Sequence, residues 1–273
     1  MPATTILDIA VDDGSIQIEV AGSGPAIVLL HGWALDRRVW RAQVASLASG
    51  YRVIAVDRRG FGCSTAPPDL ARELDDLIAI QRTLQLGRMT LVGMSQGGRV
   101  ALQFALAYPE RIAGLVLQGA PLDGFLPEPR GEDAIPIAAY AGLVRDGHID
   151  RMRRLWAAHP LMRAPAALGP EVAALLDGYE ARDLRSDTPV LLSSVAGELE
   201  AIFAPALVVT GEHDTRWRQL VGDALAYGIP NSRRAVVAGG EHLCNLTHPQ
   251  AFNGLLAGFV AGMGARTAQR ATI

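Results

Sequence analysis

The feature that most narrows the fold is a set of strand-length runs that are apolar almost throughout: Ala26–Leu30, Arg52–Val56, 89–93 and 114–118. A strand with no polar face has no side to turn to water, so it belongs in a sheet covered by helices on both faces. Between the second and third runs, Leu74, Leu77, Ile78, Gln81 and Leu84 recur at helical spacing, with Asp and Arg between them. Strands and helices alternating in this way predict an α/β fold, with a mostly parallel sheet and crossover helices. The segment 16–20 instead alternates apolar and polar residues, as a half-exposed antiparallel edge strand does.

The rhythm breaks once. From about residue 121 to 199 the chain carries Pro121, Pro127, Pro129, Pro136, Pro160, Pro165, Pro170 and Pro189, with short helix-like stretches at 149–158 and 171–179 and no strand signal. It reads as a helical insertion lying over the core. The earlier order then resumes: a strand at 206–210, a helix around 217–227, a strand at 234–237 and a last helix that Pro249 opens and that runs to about Gly262. The expected division is core 1–120, helical cap 121–200 and core again 201–273.

Composition removes several chemistries. All 25 basic residues are Arg, and a chain without lysine forms no lysine Schiff base, anchors no pyridoxal phosphate and has no Walker-type phosphate lysine. A net charge of −3 argues against nucleic acid as a partner. Cys63 and Cys244 make neither a disulfide framework nor a Cys-x-x-Cys pair. No apolar run approaches the roughly 18 residues of a membrane span, and the first residues lack the pattern of a signal peptide. A cytoplasmic protein with no membrane span is expected.

Three landmarks carry chemistry. The first is Gly93-Met94-Ser95-Gln96-Gly97, between a predicted strand and a predicted helix at 99–106. A serine hydroxyl becomes a useful nucleophile when a sharp strand-to-helix turn exposes it and a neighbouring base takes its proton. The second is His31-Gly32-Trp33, directly after the strand Ala26–Leu30. A tetrahedral intermediate needs two donors aimed at its oxyanion, and the backbone N–H groups of Trp33 and Gln96 stand in the right places. His31 itself is read as bracing the loop. The third is the pair Asp214 and His242, each following a predicted parallel strand, on the sheet edge where open α/β sheets bind ligands. In the order Ser95, Asp214, His242, the imidazole takes the serine proton and the carboxylate orients the imidazole. Glu212, His213, Glu241 and His248 are neighbours of similar type, but their spacing matches no zinc signature, and neither a metal nor any other cofactor is expected.

With these motifs the chain resembles the α/β-hydrolase-fold serine hydrolases from Ile16 to Phe259. His31-Gly32-Trp33, the turn from Asp57 to Gly62, Gly93–Gly97, Gly211–Asp214 and the stretch from Glu241 to Leu246 all stand in family order. The end of the chain is similar to that of 3-oxoadipate enol-lactonase-type esterases, and the stretch from His31 to Ser64 resembles the cofactor-free haloperoxidase-type perhydrolases. The resemblance implies an eight-stranded, mostly parallel sheet flanked by helices, with a cap inserted between strands 6 and 7. It also implies a structural role for Asp57. Gln96 stands where many relatives carry Met or Leu, and Glu241 where Ala or Gly is common.

A serine in the nucleophile position points to an acyl-enzyme, and hence to hydrolysis of a small-molecule carboxylic ester or lactone. Perhydrolysis or C–C bond hydrolysis would use the same residues, and a slow-turnover small-molecule receptor is a further reading. Trp33, Trp156 and Met162 are expected to line the substrate pocket. Arg99 or Arg154 offers a guanidinium to a substrate carboxylate, with surface solvation the competing role for each.

Overall fold

The computed structural model describes residues 3–185 and 193–270. Residues 186–192, the part of the expected cap that holds Pro189, lie outside the described residues.

Eight strands form one sheet: β1 (Thr4–Val11), β2 (Gly14–Ala21), β3 (Ala26–Leu30), β4 (Arg52–Val56), β5 (Met89–Met94), β6 (Ile112–Gln118), β7 (Ala206–Gly211) and β8 (Ser232–Val237). Their order across the sheet is β1-β2-β4-β3-β5-β6-β7-β8. The pairings β1–β2 and β2–β4 are antiparallel and all the others parallel. The apolar runs become the central strands, with every residue of β3 and β5 buried.

One strand corrects the sequence reading. Segment 16–20 lies in β2, which has a neighbour on each side, and the edge strand is β1, paired with β2 from Thr4↔Ala21 to Val11↔Gly14. Only Ile9 of β1 is buried, so burial imposes no alternation on its sequence for pattern reading to detect.

Successive side chains of a strand point to opposite faces, and two apolar clusters follow that rule. On one face Ile27, Leu29, Val53, Ala55, Val92 and Val116 pack with Val44 of α1 (Arg41–Leu47) and with Phe252, Leu256 and Phe259 of α9 (Pro249–Arg270). On the other Val28, Leu30, Ile54, Leu91, Leu115 and Leu117 pack with Leu77 and Ile80 of α2 (Glu73–Thr83), Val100 and Phe104 of α3 (Gln96–Ala107) and Val221 and Leu225 of α7 (Arg216–Gly228). The short α8 (Cys244–Thr247) precedes α9, which runs past the expected Gly262.

Helix α2 lies where the spacing placed it but is rotated. Its buried face includes Glu73 and Asp76, while Leu74 and Ile78 are only partly buried. The cause is a pair of buried guanidiniums: Arg58 meets Glu73 at 2.7 and 2.8 Å, and Arg59 meets Asp76 at 2.6 and 2.8 Å. Charges taken out of water require such partners, which outweighs the preference for an apolar side chain there.

Between β6 and β7 lie α4 (Ile137–Arg145), α5 (Ile149–Ala157) and α6 (Gly169–Asp177). Their buried residues, Tyr140, Val144, Met152, Trp156, Val172, Leu175 and Leu176, join the first apolar cluster, which also holds Trp33, Leu35 and Phe61. Among the described residues no helix is long and apolar enough to cross a membrane.

Candidate active site

Ser95 sits between β5 and α3 at φ +48° and ψ −118°, a backbone region unusual for a residue with a side chain. The strain is held by hydrogen bonds on both sides. Its N–H donates to the Gln118 carbonyl at 2.8 Å, and its carbonyl accepts from the N–H groups of Gly98 (2.8 Å) and Arg99 (3.2 Å). Gly97 is required where α3 meets β3, because a Cβ there would strike the carbonyl oxygens of Leu30 and His31.

The two members of the third landmark meet. The His242 Nδ1 lies 2.9 Å and 3.1 Å from the two carboxylate oxygens of Asp214, and both residues are buried. Nδ1–H is the donor in such a pair, which leaves Nε2 as the basic nitrogen. Asp214 Oδ1 also accepts from the Thr215 N–H at 2.8 Å.

Gln118, at the end of β6, ties the pieces together. Its carbonyl receives Ser95, while its Nε2 donates to the His242 carbonyl (3.1 Å) and to Asn245 Oδ1 (2.8 Å). Asn245 in turn donates to the Val39 carbonyl at 3.2 Å. The next residue, Gly119, has φ +52°, and a Cβ on it would come within 2.6–2.7 Å of the His242 imidazole. Sequence reading missed all three positions, since no motif marks an amide side chain that acts across 124 residues of chain.

His31 is locked in one tautomer: Nε2 accepts from the Arg58 N–H at 3.0 Å, so Nδ1–H donates to the Gly32 carbonyl at 2.7 Å. Burial, aided by the Arg58 charge, pulls its pKa down to about 3. A neutral, doubly bonded imidazole braces this loop. The next turn brings up the Trp33 N–H, which, like the Gln96 N–H, has no hydrogen-bond partner among the described residues. Gln96 Oε1 accepts from Arg58 at 3.0 Å. Asp57 accepts from the N–H groups of Arg37 (2.8 Å) and Cys63 (2.9 Å) and pairs with the Arg37 guanidinium, so its oxygens hold the turn after β4. Of the other acids near the pair, Glu212 accepts from the Gly239 N–H at 2.7 Å, and Glu241 lies 4.0 Å from Arg163.

A cavity of about 580 Å³ opens at Ser95, with Trp33, Gln96, Arg99, Asp183 and Arg218 among its walls. Trp33 Nε1 donates to Asp183 Oδ2 at 2.7 Å and the Tyr179 hydroxyl donates to Asp183 Oδ1 at 2.6 Å. Burial raises the Asp183 carboxyl above the usual range, and burial with the adjacent carboxylate raises the Tyr179 phenol.

Of the three expected pocket residues, Trp33 borders this cavity and the other two do not. Trp156 lies behind the wall, its ring edge-on to Trp33 at 4.8 Å, because the apolar face of α5 is spent on the aromatic cluster. Met162 borders a separate hollow with His159 and Val172. Arg99 reaches the cavity, paired to Asp123 at 2.9 Å, whereas Arg154 is exposed.

A strained serine at the turn from strand to helix, with a buried carboxylate–imidazole couple anchored to the same strand end, defines the class: these are the marks of an α/β hydrolase. The family model described as the alpha/beta hydrolase fold matches residues 25–249, and the chain belongs to that family. It is 32% identical to a pimeloyl-[acyl-carrier protein] methyl ester esterase of Aeromonas hydrophila, over 90% of this chain and 99% of that one. It is 31% identical to a 2-hydroxy-6-oxononadienedioate/2-hydroxy-6-oxononatrienedioate hydrolase of Paraburkholderia phymatum, over 94% and 96%. Among solved structures, a thermophilic esterase from Thermogutta terrifontis superposes with a TM-score of 0.80 at 25% identity, covering 95% of this chain and 99% of that one. The bromoperoxidase from Bacillus anthracis gives 0.78 at 28% identity, covering 95% and 100%.

Proposed function

We propose that the protein hydrolyses a carboxylic ester or lactone through an acyl-enzyme on Ser95. The observation that carries this reading is the 2.9 Å Asp214–His242 pair, held through Gln118 beside a strained Ser95 that opens into a cavity. His242 Nε2 takes the hydroxyl proton as Ser95 Oγ attacks the carbonyl carbon. Asp214 stabilises the resulting imidazolium. The N–H groups of Trp33 and Gln96 bind the oxyanion, and their lack of another partner among the described residues suits them to it. His242 then returns the proton to the departing alcohol oxygen, and a water deprotonated by the same nitrogen releases the acid.

Residues 121–200 act as the cap that sets which acyl group enters. The esterases among the relatives support ester cleavage. Wild-type protein is expected to hydrolyse p-nitrophenyl acetate and to be labelled on Ser95 by a fluorophosphonate, and Ser95→Ala to do neither. Wild-type protein inert to both reagents overturns the reading.

C–C bond hydrolysis on the same groups is the second reading, favoured by the likeness to the Paraburkholderia hydrolase. Faster cleavage of a β-diketone than of any ester in a matched panel would select it. The likeness to the bromoperoxidase makes peracid formation from acetate and hydrogen peroxide the matching assay for perhydrolysis.

A further inference from the structure

Gln96 has a second donor besides its main-chain N–H. Its side chain is half-buried and borders the cavity at Ser95. Chemistry fixes which way the amide faces. Arg58 Nη1 lies 3.0 Å from one end, and a guanidinium only donates, so that end is Oε1. Arg58 is itself immobilised: it is 1% exposed, with two hydrogen bonds to Glu73 and one to the His31 carbonyl. The other end of the Gln96 amide is therefore Nε2. It makes no hydrogen bond among the described residues and keeps accessible surface.

The order of the strands decides which part of a substrate meets this amide. Ser95 follows β5. Trp33 and Arg58 follow β3 and β4 on one side of it, and Asp214 and His242 follow β7 and β8 on the other. A leaving alcohol takes its proton from His242, so it lies toward β7 and β8. The acyl chain is left the opposite side. There Arg58 holds the Gln96 amide, and Trp33 and Leu70 stand in the same cavity wall.

We propose that the Gln96 side chain is a specificity residue whose Nε2 donates to a neutral oxygen on the acyl group, so that the preferred acyl chain carries an ether, hydroxyl or keto oxygen on its third carbon. The inference rests on the hydrolase reading, which sets the direction of the substrate. Reach selects the position. The main-chain N and Nε2 of one glutamine are five bonds apart, at most about 6 Å, while the oxyanion and an oxygen on the third acyl carbon are four bonds apart, at most about 5 Å. Both oxygens can then be held at once by one residue. A pinned amide gains from such an acceptor and loses hydration to an alkyl chain, which makes the choice between the two a specificity device.

The test pairs p-nitrophenyl 3-methoxypropanoate with p-nitrophenyl pentanoate, which share a leaving group and a chain length and differ by an ether oxygen in place of a methylene. The ratio of their kcat/KM values, ether over alkyl, is expected to be about three- to tenfold higher in the wild type than in Gln96→Leu. Comparing proteins in this way cancels the intrinsic reactivity of each ester. Gln96→Glu keeps an oxygen for Arg58 and removes the donor, so the ratio should fall there too; an amide that merely braced Arg58 would leave it at the wild-type value. A ratio unchanged in either variant overturns the proposal while ester hydrolysis stands. Wild-type protein that cleaves neither ester overturns the hydrolase reading and the proposal together.

Discussion

The sheet edge and the insertion facing it are held by different means. Along the edge the backbone does most of the positioning: Ser95 is fixed by three main-chain hydrogen bonds, and Asp214 and His242 follow closely on the ends of β7 and β8. In α4–α6 the side chains do it. Trp33 stacks on Tyr140 with a 9° tilt and meets Trp156 and Tyr179 edge-on, and Asp183 ties two of these rings by hydrogen bonds. Each of the three helices has nine residues, too few for stability without packing. On the proposed reading, a constellation held at the strand ends can stay fixed while the aromatic and charged groups of the insertion are exchanged, which would separate the chemistry from the choice of substrate.

That contrast predicts where substitutions act. The largest effect belongs to the edge: His242→Ala or Asp214→Asn should lower kcat on p-nitrophenyl acetate by about 10³–10⁴-fold. An equal loss from Trp156→Ala would erase the distinction between the regions.

Glu73→Gln leaves the Arg58 charge buried with half its partner gone, so urea unfolding should show a loss of about 3–5 kcal/mol. Because Arg58 also holds Gln96 and the His31 carbonyl, the same variant should lower kcat; unchanged kcat would mean that the edge does not depend on this support.

Acid should weaken the edge through His31. Its pKa is about 3 when folded and near the ordinary 6.5 when unfolded, so the unfolded chain binds the extra proton between those values. The stabilisation is complete above about pH 6.5 and is lost as pH falls towards 3, by an amount of order 4 kcal/mol. Measured from pH 7 down to pH 4, the stability gap between wild type and His31→Gln should narrow. A constant gap would show that the imidazole is not held neutral.

The smallest effect concerns the joint between the regions. Asp183→Ala strips the acceptor from Trp33 and Tyr179, for an expected cost of about 1–3 kcal/mol. It should also reduce kcat/KM several-fold by loosening the loop that carries the Trp33 N–H. Retention of full activity would limit Asp183 to packing the insertion.

The sequence by itself determined the buried central strands and the positions just beyond their ends, though not the exposed edge strand β1, because both are written locally: an apolar run reports burial on both faces, and glycines beside Ser95 report a turn without room for side chains. Asp214 and His242 were legible for the same reason, each lying within a few residues of a strand end. Only the tertiary structure decided which groups complete one another. Gln118 reaches His242 and Asn245, Glu73 turns inward for Arg58, Trp33 finds Asp183, and Trp156 is spent on an aromatic cluster away from the cavity. These partners are separated by 15 to 150 residues of chain, and periodicity carries no information about which distant side chain will fill a neighbour's unmet hydrogen bonds once the sheet has closed.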